Sequence, residues 1–355
     1  MYNMVAKYKM FEKYIIFVKL QLLVTVLMLF GGGCAGNQEQ LLSSPEVLLV
    51  WPQPPEKPRI RYVGTLSTET DLEKQVSWTQ SLGELLFGKE KIGVLVSPYA
   101  VAVDRHDRLF VADTTGGVVH AFDLNTRAYK QFTDIDEQKK LSKPVGLAIV
   151  DDWIYVVDSA LREVCVFDGK GKFRGKFGSE RLVRPSGIAY YAEQDELYVS
   201  DTGGHVVNVF NKSGDYIRTI GSRGIEPGRF NFPTHLWVDD GGKLYVSDTL
   251  NYRVQVFSSQ GEFLNMFGEH GDHPGNFAHP SGIATDGFGN IYVTDRQFEN
   301  VQIFDQQGRI LMAFGQEGKQ AGQFWLPAGI FVDRRNRIYV ADTFNKRIQI
   351  FELTE

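Results

Sequence analysis

Leu244-Tyr-Val-Ser-Asp248-Thr-Leu-Asn-Tyr-Arg253-Val-Gln-Val-Phe257 consists of two short β-branched and aromatic runs joined across an aspartate and a polar turn. Such runs, bounded by Asp, Asn and Gly, are the signature of paired strands. The pattern recurs along the chain. The first run ends at Asp113, Asp158, Asp201, Asp248, Asp295 and Asp342, with steps of 45, 43, 47, 47 and 47 residues. The second run ends at Phe122, Phe167, Phe210, Phe257, Phe304 and Phe351. A third run opens each unit behind a proline, as in Pro98-Tyr-Ala-Val-Ala-Val, Pro144-Val-Gly-Leu-Ala-Ile and Pro280-Ser-Gly-Ile-Ala-Thr, and again from Pro185, Pro233 and Pro327. A fourth closes most units, as in Gly261-Glu-Phe-Leu-Asn-Met-Phe-Gly268. Four strands per repeat, six times over, make an all-β chain and predict a six-bladed β-propeller of four-stranded blades.

The sixth unit stops at Glu355, just after its third run. Residues 59–66, Arg-Ile-Arg-Tyr-Val-Gly-Thr-Leu, have the character of a fourth run and precede the first unit. They are expected to close the last blade, which leaves no long unpaired edge at the seam. The propeller then spans 59–355, with blades starting near 98, 144, 185, 233, 280 and 327. Between the closing strand and the first blade, Trp78, Leu82, Leu85, Leu86 and Phe87 are spaced for one amphipathic helix over 71–90.

On these residues the units resemble NHL repeats. The shared elements are Pro-x-Gly-Ile-Ala, Ile/Leu-Tyr-Val-x-Asp, and the stretch from Asp248 to Phe257, which Asp342-Thr-Phe-Asn345-Lys-Arg347-Ile-Gln-Ile-Phe351 repeats closely. The units at Asp113, Asp158 and Asp201 diverge more. The resemblance covers about 260 residues and implies the propeller. It leaves function open, because propellers of that family include enzymes, RNA binders and protein binders.

The first 33 residues have a different layout. Lys7, Lys9, Lys13 and Lys19 precede an apolar run, Leu20 to Phe30, followed by small residues up to Cys34. Basic, apolar, then small is the order of a secretory signal. A cysteine directly after the small residues resembles a bacterial lipoprotein signal, although Gly31 stands where that family usually has leucine. The resemblance implies cleavage before Cys34 and a lipid on it. Residues 34–58, with Trp51-Pro-Gln-Pro-Pro-Glu-Lys-Pro58, are expected to be an extended tether. An outer-membrane site, facing the periplasm or the cell surface, suits Ala35 behind the lipid cysteine in a Gram-negative host. Cys165, the second of two cysteines, sits in a strand-like run and reads as an inert thiol. With Cys34 acylated, no disulfide is possible.

Charge excludes one class of partner. Residues 1–33 carry four Lys and one Glu, and removing their +3 from the chain's −5 leaves −8. Phosphate-tracking proteins show the opposite balance, so no nucleic acid is expected.

Within a propeller, the loops entering each first strand and those joining the second strand to the third share one face. Here these loops are the longer ones and carry aromatic residues, so a site is expected there. Positions that all units share read as architecture, the six aspartates included, and Phe230, Phe277 and Phe324 read as wedges between blades. Positions that break the rule are the candidates for binding. His235 and Trp237 replace the usual Gly and Ala of the first strand, Phe331 replaces another Ala, and Arg296 replaces the Thr or Ser after the aspartate. Tyr252 and Trp325 add aromatic surface on the same face. Trp237 and Phe331 could instead simply fill the channel.

The reading is a membrane-anchored binding or scaffold propeller, whose partner is another cell-envelope protein or a peptide or glycan ligand. No catalytic residue, metal or cofactor is expected. The alternative is a propeller enzyme, lyase- or hydrolase-like, with its site at the channel mouth. Amidating lyases resemble the chain in their repeats but place metal-binding histidines at several inner-strand starts. Here only His235 holds such a place, against Ala100, Gly146, Gly187, Gly282 and Gly329.

Overall fold

The computed structural model describes residues 48–72 and 93–354. The expected leader 1–33, Cys34 and nearly all of the expected helix 71–90 lie outside the described residues. Six antiparallel sheets follow one another around an axis. The first blade comprises Pro98–Val103, Arg108–Asp113, Val118–Asp123 and Tyr129–Phe132, running from the axis outward. The innermost strands of the other blades are Pro144–Val150, Pro185–Tyr191, Pro233–Val238, Pro280–Thr285 and Pro327–Val332. Each inner strand packs beside the next, and the sixth packs beside the first, so the ring is closed.

The seam is closed by the N-terminal segment, as the missing sixth fourth strand requires. Ile60–Leu66 pairs antiparallel with Arg347–Leu353, with Tyr62 opposite Phe351 and Leu66 opposite Ile348. Alternation supplies the reason. Ile60, Tyr62, Leu66 are buried while Arg61 is exposed, so one side of this strand belongs to the core.

Of the expected tether 34–58, residues 48–58 are described, and there Val50–Trp51 pairs with Arg61 and Ile60, adding a short strand outside the four of the last blade. The Trp51 ring contacts Phe314 and Phe351, at centroid distances of 5.8 Å each. It lies over Gly322, where a Cβ would sit 2.6 Å from the indole. An apolar ring of this size gains more by covering the sheet edge than by remaining in a solvated tether.

The six repeated aspartates are buried, none more than 1% exposed. Each carboxylate accepts one or two backbone N–H groups from the loop entering its own blade. Asp158, for instance, accepts from Ser142 and Lys143 on the entry loop and from Ala160 and Leu161 on its own turn. In the fourth and sixth blades an Asn and an Arg join in: Asn251 and Arg253 on Asp248, Asn345 and Arg347 on Asp342. The next residue latches blade to blade. Thr114, Thr202, Thr249 and Thr343 donate their hydroxyls to the carbonyls of Pro144, Pro233, Pro280 and Pro98, at 2.6–2.9 Å. The last of these bonds crosses the seam.

The loop phenylalanines Phe230, Phe277 and Phe324 are fully buried and pack on the third-strand phenylalanines Phe257, Phe304 and Phe351. Cys165 is fully buried, and burial, with Glu163 and Asp158 nearby, pushes its thiol up to about 12.

Two expectations follow. Asp158→Ala leaves four N–H groups without their acceptor, and a hydrogen bond to a charged group contributes about 1.5–3 kcal/mol. Urea denaturation should therefore show a loss of at least about 3 kcal/mol. Deleting 48–66 exposes the Arg347–Leu353 edge. Calorimetry should show a lower, less cooperative transition, and light scattering should show self-association. An unchanged transition would mean that the seam does not depend on these residues.

Candidate functional site

The site is built on the inner strands. In four blades the second residue after the proline is glycine because the next blade comes too close. A Cβ on Gly146 would lie 2.5 Å from the Ser186 carbonyl oxygen, and one on Gly329 would lie 2.5 Å from that of Tyr99. His235 occupies this position in the fourth blade. Its ring turns inward, with Nδ1 3.3 Å from the Ser281 hydroxyl of the fifth blade.

The His235 ring stacks on Tyr99, with centroids 5.3 Å apart and planes inclined at 26°. The first and fourth blades face each other across the axis, so Tyr99 and His235 bridge the channel near its entrance. Arg296 completes the group, its guanidinium 5.7 Å from the Tyr99 ring centroid. Among the described residues that guanidinium makes no ion pair and no hydrogen bond. His235 Nε2 is buried and also lacks a hydrogen-bond partner among them. Burial holds the imidazole neutral, and Arg296 and His279 reinforce this, bringing its pKa down to about 3. His279 is lowered too, by burial first and Arg296 second.

Trp237 and Phe331 meet each other elsewhere. Two residues further along the strand is about 7 Å further from the entrance. There the two rings form an edge-to-face pair, 5.5 Å apart at 78°, and the indole N–H donates to the Thr285 hydroxyl at 2.9 Å. They wall the channel beside a cavity of ≈ 180 Å³. That is below the roughly 300–1,000 Å³ of drug-sized ligand pockets. The two rings are matched to each other and line the cavity together.

Tyr252 and Trp325 join neither group. Tyr252 packs on His270 at 4.3 Å, and Trp325 on Phe344 at 5.5 Å with the Lys319 ammonium 4.9 Å from its ring. No group of three potential metal ligands occurs among the described residues. Sequence reasoning missed Tyr99. The signal was there: the residue after the proline is small in the other five units, Val145, Ser186, Thr234, Ser281 and Ala328. It also missed a rim of exposed apolar side chains on the outer strands of the third, fourth and fifth blades, among them Ile217, Phe263, Leu264, Met266 and Leu311. Sequence alone could not distinguish a bare outer strand from a covered one.

Comparisons agree on the architecture. Residues 285–355 match a model of the DUF5128 family, described as a 6-bladed beta-propeller. Over 144 residues the chain is 26% identical to Antigen Lp49 of Leptospira interrogans, covering 38% of this chain and 30% of that protein. The chain thus matches less than a third of that relative's length. Among solved structures, an auxiliary nutrient binding protein from Bacteroides thetaiotaomicron superposes with a TM-score of 0.59 at 14% identity, over 74% of this chain and 70% of that one. Virginiamycin B lyase from Staphylococcus aureus superposes with a TM-score of 0.54 at 12% identity, over 73% and 96%. At such identities the likeness is one of fold. The class of protein is a six-bladed β-propeller.

The buried histidine implies a pH dependence. Folded His235 is held at about 3, against 6.5 for an ordinary histidine, so between those values the unfolded chain binds a proton that the folded chain refuses. Its contribution is whole above pH 6.5 and falls as the pH drops toward 3, by on the order of a few kcal/mol. Thermal melts from pH 7 to 4 should show falling stability, with a shallower fall in His235→Gln. An identical slope in that variant would place the acid sensitivity elsewhere.

Proposed function

We propose that this protein is an exported binding propeller, held at a bacterial membrane through a lipid on Cys34, whose first face captures another cell-envelope protein. On this reading 1–33 is a cleaved leader, and the chain from Cys34 links the lipid to the propeller. The observation that carries the reading is the convergence of His235 and Arg296, both departures from the repeat, on Tyr99 at one spot. A ligand rarely shares sixfold symmetry, so a binding residue has reason to differ in one blade. A half-buried arginine without a carboxylate partner suits an interface, where arginine and tyrosine are enriched among the residues that dominate affinity.

Other features support the same reading. The exposed apolar side chains on the outer strands suit a protein partner. The relatives' names, an antigen and an auxiliary nutrient binding protein, suit an extracytoplasmic binding role.

Two measurements test it. Cys34→Ser should lose metabolic lipid labelling and leave the detergent phase on phase partition. In capture from solubilised membranes, Arg296→Ala should keep the wild-type melting temperature yet bind the captured envelope protein about thirtyfold more weakly, the equivalent of about 2 kcal/mol. No lipid label on the wild type removes the anchor, and unaltered capture removes this part of the face from the interface.

A further inference from the structure

The loop after Asp295 abandons the architecture of its neighbours. Where the fourth and sixth blades read Asp-Thr-x-Asn-x-Arg, the fifth reads Asp295-Arg-Gln-Phe298-Glu299-Asn300. Arg296 stands in place of the latch threonine, so the hydroxyl bond that Thr249 and Thr343 make is not made from this position, and the link to the sixth blade is left to the Thr294 hydroxyl on the Ala328 carbonyl at 2.6 Å. Phe298 and Asn300 stand where Asn251 and Arg253 hold Asp248 in the fourth blade.

Unmet polar atoms collect at the same loop. Among the described residues seven buried side-chain atoms have no hydrogen-bond partner, and three of them are here: His279 Nδ1, Glu299 Oε2 and Asn300 Oδ1. Glu299 is 8% exposed. One of its oxygens accepts the Leu326 N–H at 3.4 Å. That bond is architectural, since His205 accepts the Phe232 N–H at the matching place two blades earlier, at 3.2 Å. The other oxygen has no such duty. Buried polar groups are ordinarily paired, and a cluster of exceptions in one place calls for a missing partner.

His279, Arg296, Phe298, Glu299, Glu317 and Leu326 line one open cleft of ≈ 690 Å³ between the fifth and sixth blades. Arg296 offers a guanidinium with no anion beside it, and His279 an unpaired ring nitrogen. Glu299 and Glu317 offer carboxylates that no cation meets among the described residues. Phe298 and Leu326 give apolar wall between them. Burial raises the Glu299 carboxyl above its usual range, and Glu317 and Asp342 add to the shift, as expected of an acid whose counter-ion is missing.

We infer that this cleft binds a small zwitterion of the free amino acid or dipeptide class, its carboxylate on Arg296 and His279 and its ammonium on Glu299 and Glu317. The inference rests on the first face being a binding face and goes further, to a ligand that is a small molecule in its own right. The apolar wall favours an aliphatic side chain, and the volume lies within the roughly 300–1,000 Å³ range of small-molecule sites.

The test uses the full chain purified in detergent and isothermal titration with leucine, leucyl-leucine, N-acetyl-leucyl-leucine and leucyl-leucinamide. Leucine or leucyl-leucine should bind, and each blocked dipeptide should bind at least about tenfold more weakly than leucyl-leucine, as loss of a hydrogen bond to a charged group implies. Glu299→Gln keeps the acceptor for the Leu326 N–H but not the charge, so it should erase the penalty for N-acetylation alone. Arg296→Thr restores the latch residue of the neighbouring blades. It should melt no lower than wild type while erasing the penalty for C-terminal amidation. Absence of binding by both free ligands overturns the inference even if an envelope protein is captured. Binding that ignores both blocking groups, or both variants, overturns it as well. Titration of leucyl-leucine with the expected selectivity supports it whether or not a protein partner is captured, so the two readings fail separately.

Discussion

The structure depends on one interaction repeated six times: a buried carboxylate bonded to backbone N–H groups of a loop distant in sequence. Asp113 accepts from Val96 and Ser97, and Asp295 from Ala278 and His279, about seventeen positions away in each case. An ionised group taken from water is tolerated only when its lone pairs are filled. The bond thus fixes where each entry loop lies, and with it the height at which each inner strand starts. The balance differs from blade to blade. At Asp113 burial opposes ionisation, but His120, 3.6 Å away, and the N–H bonds from Val96 and Gly116 outweigh it and the carboxyl stays low. At Asp248 and Asp342 burial wins and the carboxyl is raised, although the arginine that each of them pairs with pulls the other way.

The hydroxyl latches join blade to blade, where these clamps join a loop to its own blade. A latch at the seam, Thr343 on Pro98, and the pairing of Ile60–Leu66 with the final strand close the ring from both ends of the chain. The five-stranded last blade follows from the same need. A closing strand contributed by a distant part of the chain would present a fresh edge, and Val50–Trp51 covers part of it with an indole against Phe314 and Phe351.

Within this frame the fifth blade departs from the fourth and sixth on either side of it. Its loop lacks the latch hydroxyl and the Asn and Arg of its neighbours, and its buried polar atoms are left without partners. Structures retain such local costs where a site needs the groups involved. The second departure, Trp237 against Phe331, differs in kind. Its polar atom is satisfied by Thr285 and its rings are matched to each other.

Sequence alone determined the architecture, because a propeller is built from local units. Strand periodicity, the proline and aspartate at fixed places, and a sixth unit one strand short are all visible within a repeat or by counting repeats. The residues that break the rule were legible for the same reason, since His235 and Arg296 each depart from five internal references, and Trp237 and Phe331, which share one place in the repeat, from four. Which of them meet was decided only by the tertiary structure. Blades one and four are far apart in the chain but opposite across the axis, so Tyr99 stacks on His235. Tyr252 and Trp325, on the same face, point to separate neighbours. The stretch before residue 59 reads as extended and proline-rich, and its composition carries no trace of the edge that Trp51 covers. That edge exists only once the last strand is in place, and burial of an aromatic ring depends on what stands beside it in space.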